Sequence, residues 1–122
     1  MADFEVIYYT RADGSKPVDE FLDSLDGKMA AKVLRAIDML EELGPALRRP
    51  HSASLGDGIF ELRVQVASDI SRVLYFFIVH GRAILTHGFI KKTEKTPPAE
   101  IERAKRYRDD YLRRIGNDGN EV

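Results

Sequence analysis

The stretch Ile59–Pro97, IFELRVQVASDISRVLYFFIVHGRAILTHGFIKKTEKTP, decides the fold of this chain. β-Branched and aromatic residues dominate three runs, 59–66, 72–79 and 82–90, and turn residues separate them, which predicts three consecutive antiparallel strands. His80-Gly81 suits a two-residue hairpin link, because glycine accepts a positive φ at no steric cost. With that link, Val79 pairs with Arg82, Tyr75 with Thr86 and Arg72 with Phe89. With a plain four-residue loop over 67–70, Val66 pairs with Ser71 and Arg63 with Leu74. Strand alternation then separates two faces. One carries Phe60, Leu62, Val64, Val73, Tyr75, Phe77, Ile84, Thr86 and Gly88, a composition suited to packing under helices. The other carries Glu61, Arg63, Arg72, Leu74, Phe76, Ala83, Leu85, His87, Phe89 and Lys91, and is cationic and aromatic.

Charge is unevenly distributed. The whole chain has a formal net charge of −1, yet this stretch holds six Lys or Arg against three acidic residues, and the remainder 13 basic against 17 acidic. A sequence pI near 6.3 argues against a protein that coats nucleic acid indiscriminately, whereas a local positive face fits a focused anionic substrate. The 122 residues, 43% of them hydrophobic, suffice for one α+β domain with a real core and not for two. Cysteine is absent, which excludes disulfides and thiol nucleophiles. His51, His80 and His87 lack metal-ligand spacing, so neither a metal nor a cofactor is expected. The N-terminus MADFEVIYYT carries no leader pattern and no stretch is long enough for a membrane span, which points to the cytoplasm.

Outward from the three strands, residues 4–10 alternate as a first strand before the Ala12-Asp13-Gly14 turn. Ser15 to Leu25 reads as a short helix with Ser15 near its cap and Pro17 in its first turn. Met29, Val33, Ile37, Leu40 and Leu43 give a second helix, ended by Gly44-Pro45. Residues 46–58 read as a loop in which Arg48, Arg49 and His51 form a basic island, either a nucleic-acid backbone contact or an ordinary solvated surface. Thr96 is placed to cap a final helix with Pro97 and Pro98 in its first turn, and 116–122 reads as a disordered tail.

The order strand, helix, helix, three strands, together with Gly58-Ile59-Phe60-Glu61-Leu62-Arg63, Arg72-Val73-Leu74-Tyr75 and His87-Gly88-Phe89-Ile90-Lys91-Lys92-Thr93, resembles the RelE/HigB superfamily of toxins from type II toxin-antitoxin systems, and more closely its phage-related HigB-like branch. The resemblance runs from Phe4 to Tyr111. It implies a small twisted antiparallel sheet, about four strands, with two N-terminal helices on one face and a C-terminal helix, as a single toxin domain. It also implies an endoribonuclease that cleaves mRNA on the ribosome through basic residues on an open sheet face, with mRNA and a cognate antitoxin protein as partners. By that resemblance Arg63 and Arg72 are sheet-borne site residues, and Lys91, Lys92 and Lys95 form the basic turn. Thr96-Pro97-Pro98 stands where many RelE-type members carry a catalytic tyrosine. The fold also serves ParE-like gyrase poisons, and a degenerate toxin that only binds antitoxin is a third reading.

Metal-independent cleavage by the RNA's own 2′-hydroxyl needs a proton acceptor, a proton donor and positive charge around the phosphorane. Arg63 and Arg72 suit the last role, because a guanidinium stays charged and can grip two phosphate oxygens. Lysine becomes a useful base only when neighbouring cations or burial depress its pKa, and Lys91, Lys92 and Lys95 are mutual neighbours. His87 is the general-base candidate by its unperturbed pKa, with a buried, hydrogen-bonded histidine as the alternative. Phe89 and Phe76 either stack on RNA bases or pack beneath the last helix. Arg48 and Arg49 complete the candidate RNA contacts.

Overall fold

A computed structural model describes residues 4–78 and 80–118. Strands β3 (Ile59–Val66), β4 (Asp69–Ile78) and β5 (Arg82–Lys91) form the antiparallel centre of the sheet. The β3–β4 link is tighter than expected. It is the pair Ala67-Ser68, with Ala67 in the left-handed region at φ 56°, so Val66 pairs with Asp69 and Arg63 with Arg72. A two-residue shift keeps every side chain on its predicted face but sets the two arginines directly opposite each other.

The β4–β5 register is as predicted at its lower end, Arg72 opposite Phe89, and differs at its upper end. There Ile78 pairs with Arg82, so the link is not the two-residue one expected; the proposed Val79 pairing lies outside the described residues. A bulge reconciles the two halves: Leu74 pairs with His87 but Tyr75 with Leu85, leaving Thr86 as the extra residue. Its hydroxyl donates to the Leu74 carbonyl. The one-residue slip reverses the expected facing of Ala83, Ile84 and Leu85. Ala83 and Leu85 join the core under the first two helices, and Ile84 joins the opposite one.

Two further strands flank this centre, giving the order β1-β5-β4-β3-β2 and five strands instead of four. β1 (Glu5–Tyr8) runs parallel to β5. β2 (Ser52–Gly56) occupies part of the expected 46–58 loop and pairs with β3 through Asp57-Gly58, whose φ values of 54° and 80° suit a tight primed hairpin turn. Pairing ends at Ser52–Leu62, where Arg63 N–H still donates to the His51 carbonyl, so beyond Arg63 strand β3 is itself the sheet edge.

Helix α1 (Pro17–Asp23) is shorter than expected at both ends: Ser15 bonds to Asp13 instead of capping, and Lys16 is the N-cap. Helix α2 (Gly27–Leu43) starts at Asp26, whose carboxylate accepts the Met29 N–H at 2.9 Å. Together they bury Val18, Phe21, Val33, Ile37 and Leu40 against Leu62, Val73, Tyr75 and Leu85. Helix α3 (Pro98–Asp118) continues through Gly116, past the predicted start of the tail; Gly119–Val122 lie outside the described residues. Thr96 lies one residue before the N-cap position of this helix, and its hydroxyl donates to Glu61. α3 lies across the second sheet face through Ala104, a Tyr9–Tyr107 stack with centroids 4.6 Å apart and a Phe76–Tyr111 edge contact at 6.1 Å. That face is therefore covered over much of its area and is not the open surface expected.

Gly88 marks where α1 meets the sheet: a Cβ there would come within 2.8 Å of Cδ2, Cε2 and Cγ of Phe21. Gly88→Ala is expected to destabilise the domain by about 1–3 kcal/mol through overpacking, read by thermal or urea denaturation. Adding Phe21→Leu should recover part of that loss; strict additivity of the two changes would show that the ring contact is not the cause.

Candidate nucleic-acid interface

The site begins with two arginines that strand pairing forces together on one face of β3 and β4. Like charges in that position repel, and the structure interleaves carboxylates. Glu61, only 3% exposed, lies with one oxygen 3.7 Å from Arg72 Nε and the other 3.7 Å from Arg63 Nε. Arg63 reaches on to Glu94 at 3.0 Å. The result is a chain of alternating sign, Arg72, Glu61, Arg63, Glu94.

Arg72 is fully buried, and desolvation pushes its pKa down, with Glu61 opposing that shift. Its terminal nitrogens donate to the carbonyls of Thr93 and Lys95, the latter at 3.5 Å. The guanidinium thus holds the backbone of the 92–95 turn from beneath and presents no surface to a substrate, unlike the phosphate grip that the sequence suggests. Arg63 differs: its side chain is 19% exposed and lines adjoining grooves of about 300 and 360 Å³. Arg49 and Ser54 come from the β2 side, Lys95 and Thr96 from the turn, and His51 and Gln65 from the sheet edge.

Of the other predicted residues, Lys91 and Lys92 are exposed, Lys91 opposite the groove residue Ile70 in the β4–β5 ladder and Lys92 at 3.8 Å from Asp69. Arg48 is exposed next to Arg49. Among the described residues, Arg48, Arg49, Lys91 and Lys95 form no ion pair with a carboxylate. His87 is elsewhere. It is 4% exposed beneath α3, between Thr86 Oγ1 at 3.1 Å and Glu100 Oε1 at 3.0 Å, with Tyr107 and Phe89 against its ring. Phe76 is buried against Tyr111, and Phe89 is half-buried in the same cluster. These three belong to the α3 interface. Sequence reasoning missed Glu61, Glu94 and Thr96 as site residues; the visible signal was Glu61 two residues before Arg63, on the same strand face, in a stretch whose charge is otherwise positive.

The groove sets Arg49, Arg63 and Lys95 against Glu61 and Glu94, and Lys91 pairs with its lining residue Ile70, an excess of positive charge suited to a phosphodiester backbone. Residues 20–109 match the model of the family described as Phage derived protein Gp49-like (DUF891). The chain belongs to the Gp49-like family. That family is associated with RelE/HigB-like toxins, and the assignment is consistent with a toxin of a toxin-antitoxin system. A search of curated proteins returns no match. Within the described residues of this Gp49-like chain no helix is long and apolar enough to cross a membrane.

Burial pushes the His87 pKa below its ordinary value, against the raising effect of Glu100. A histidine whose pKa is lower folded than unfolded binds protons more readily in the unfolded chain, so its contribution is present above about pH 6.5 and lost as pH falls. Stability measured by urea denaturation should therefore decrease from pH 7.5 towards 5.5, and His87→Gln should flatten that part of the profile. An unchanged slope in His87→Gln would assign the pH dependence to other groups.

Proposed function

We propose that this Gp49-like protein is the toxin of a type II toxin-antitoxin system and acts as an mRNA interferase, inhibiting translation by metal-independent cleavage of mRNA on the ribosome. The observation that carries the reading is the convergence of Arg49, Arg63 and Lys95 on one groove whose turn is held in place by buried Arg72. In the reaction the RNA 2′-hydroxyl gives its proton to a base as its oxygen attacks the adjacent phosphorus, and the 5′-oxygen leaves taking up a proton, which yields a 2′,3′-cyclic phosphate and a 5′-hydroxyl. Negative charge grows on the non-bridging oxygens, and fixed positive charge at that point lowers the barrier. Arg63 is the residue for this role, because strand β3 fixes its backbone and its guanidinium reaches the groove. Lys91, Lys92 and Lys95 supply affinity, since a lysine ammonium contacts phosphate as a mobile point charge. Arg72 is a positioning residue that acts through the turn. A cognate antitoxin with an acidic or amphipathic segment would silence such a groove by occupying it, much as Glu94 now occupies Arg63.

Single-turnover cleavage on programmed ribosomes tests the assignment. Arg63→Ala should slow cleavage by about 10²–10³-fold, the cost of one preorganised donor. Arg72→Lys keeps the charge but replaces two separate terminal nitrogens in a planar fork by one compact ammonium, so its grip on the Thr93 and Lys95 carbonyls loosens, which should lower the rate and speed amide exchange at 93–96. Glu94→Gln should tighten RNA binding by releasing Arg63. A folded Arg63→Ala protein that cleaves at the wild-type rate would remove this groove from the chemistry.

The burial of His87 favours a second reading, in which the groove binds without cutting and the protein poisons DNA gyrase or only binds antitoxin. Expression in growing cells separates the two: arrested translation with cleaved message supports the ribonuclease, and stalled replication with intact message supports the gyrase poison.

A further inference from the structure

The cationic groove does not end at Arg63. Where β2 stops pairing, the exposed edge of β3 opens into a further cleft of about 230 Å³ between the strand and helix α2. Arg63 and Gln65 form one wall together with His51, and Lys32 and Arg35 form the other. The floor is aliphatic, built from Ala36, Met39 and Val64. Lys32, Arg35 and Met39 recur at helical spacing on the flank of α2 beside its buried stripe, so their orientation follows from the same periodicity that packs Val33, Ala36 and Leu40 into the core.

We infer that this cleft binds the phosphate backbone of the single-stranded RNA as it runs away from the cleavage site, with Lys32 and Arg35 as its phosphate contacts. The inference rests on the ribonuclease reading of the adjoining groove and assigns residues outside it. Three observations carry it. The cleft shares Arg63, His51 and Gln65 with the groove at the 92–95 turn, so a strand lying in one passes directly into the other. Lys32 and Arg35 are exposed side by side on this flank and, among the described residues, pair with no carboxylate, so both charges are free for a ligand in the cleft. Finally, the volume falls below the roughly 300 Å³ at which pockets for whole small molecules begin, while an aliphatic floor between cationic walls suits the sugar and phosphates of a passing polymer.

The test compares Lys32→Gln/Arg35→Gln with Arg106→Gln/Arg113→Gln, which removes the same charge from exposed positions on α3 and keeps good helix formers in place. Binding of a short fluorescein-labelled single-stranded RNA is measured by anisotropy over a salt series, and single-turnover cleavage on programmed ribosomes is measured beside it. The α2 variant should bind more weakly, with its salt slope reduced by about 1.4, from two contacts at about 0.7 each on a single strand. Cleavage by the α2 variant should need a higher protein concentration to reach half its maximal rate, and the α3 variant should keep wild-type affinity. Equal losses in both variants, or none in the α2 variant, would overturn the track while leaving the ribonuclease reading intact. A loss confined to the ribosome, with free RNA bound normally, would assign the cleft to ribosomal RNA instead. Failure of the wild-type protein to bind or cleave RNA would overturn the underlying reading, and the track with it.

Discussion

The arrangement depends on one buried guanidinium. Removing an unpaired charge from water is expensive, and Arg72 is fully buried, so its place in the sheet has to be compensated by neighbouring groups. Two carbonyls of the 92–95 turn and the Glu61 carboxylate supply that compensation. The dependence is reciprocal: the turn needs the guanidinium for its backbone hydrogen bonding, and the guanidinium needs the turn for its solvation. Cutting a buried pair by deleting one partner typically costs about 3–5 kcal/mol, a large fraction of a small domain's stability. Arg72 therefore belongs equally to the fold and to the site.

Glu61 makes the arrangement possible. With Arg63 directly opposite Arg72 in the ladder, the central strands would carry a repulsive pair. The glutamate lies between the two Nε groups, and Thr96 donates to it from the chain entering α3. The same few atoms thus link β3, β4, the basic turn and the start of the last helix. Within residues 59–97 the three carboxylates are taken up by Arg72, Arg63 and Lys92, so the excess positive charge falls on Arg82, Lys91 and Lys95, of which Arg82 pairs with Glu5. What remains for a partner is the unpaired set at the groove's rim, a narrower and more directed charge than composition suggests.

Period-two alternation disclosed strands β3 and β4 and the facing of their side chains, because one-sided burial leaves a strong imprint on sequence. The β5 bulge left none. Ala83, Ile84 and Leu85 are all apolar, so a one-residue slip exchanges apolar for apolar and no pattern records it. Strand β2 was obscured for another reason: Ser-Ala-Ser-Leu-Gly offers one large apolar residue, and only the Asp57-Gly58 turn announced the hairpin. At the site, the sequence identified which cations matter as a group but not their depth. The depth of Arg72 is set by the 92–95 turn that closes over it, and that of His87 and Phe76 by α3, which docks through Tyr107 and Tyr111 while most of its surface is charged, so composition left burial as one of two open alternatives.

Two kinds of positive charge meet in the groove, and their difference follows from how each is anchored. Arg63 stands on a paired strand with its Nε buried beside Glu61, so a phosphate that displaces the exposed Glu94 meets a group whose direction is set in advance. The turn carrying Lys92 and Lys95 is fixed through its carbonyls, which Arg72 binds, and not through its ammonium groups. Its backbone is therefore placed while its side chains stay free to follow the substrate. Direction at the reacting phosphorus and tolerance along the rest of the strand are opposite requirements. A buried arginine beneath a turn meets both, because it orders the main chain without consuming the side chains above it.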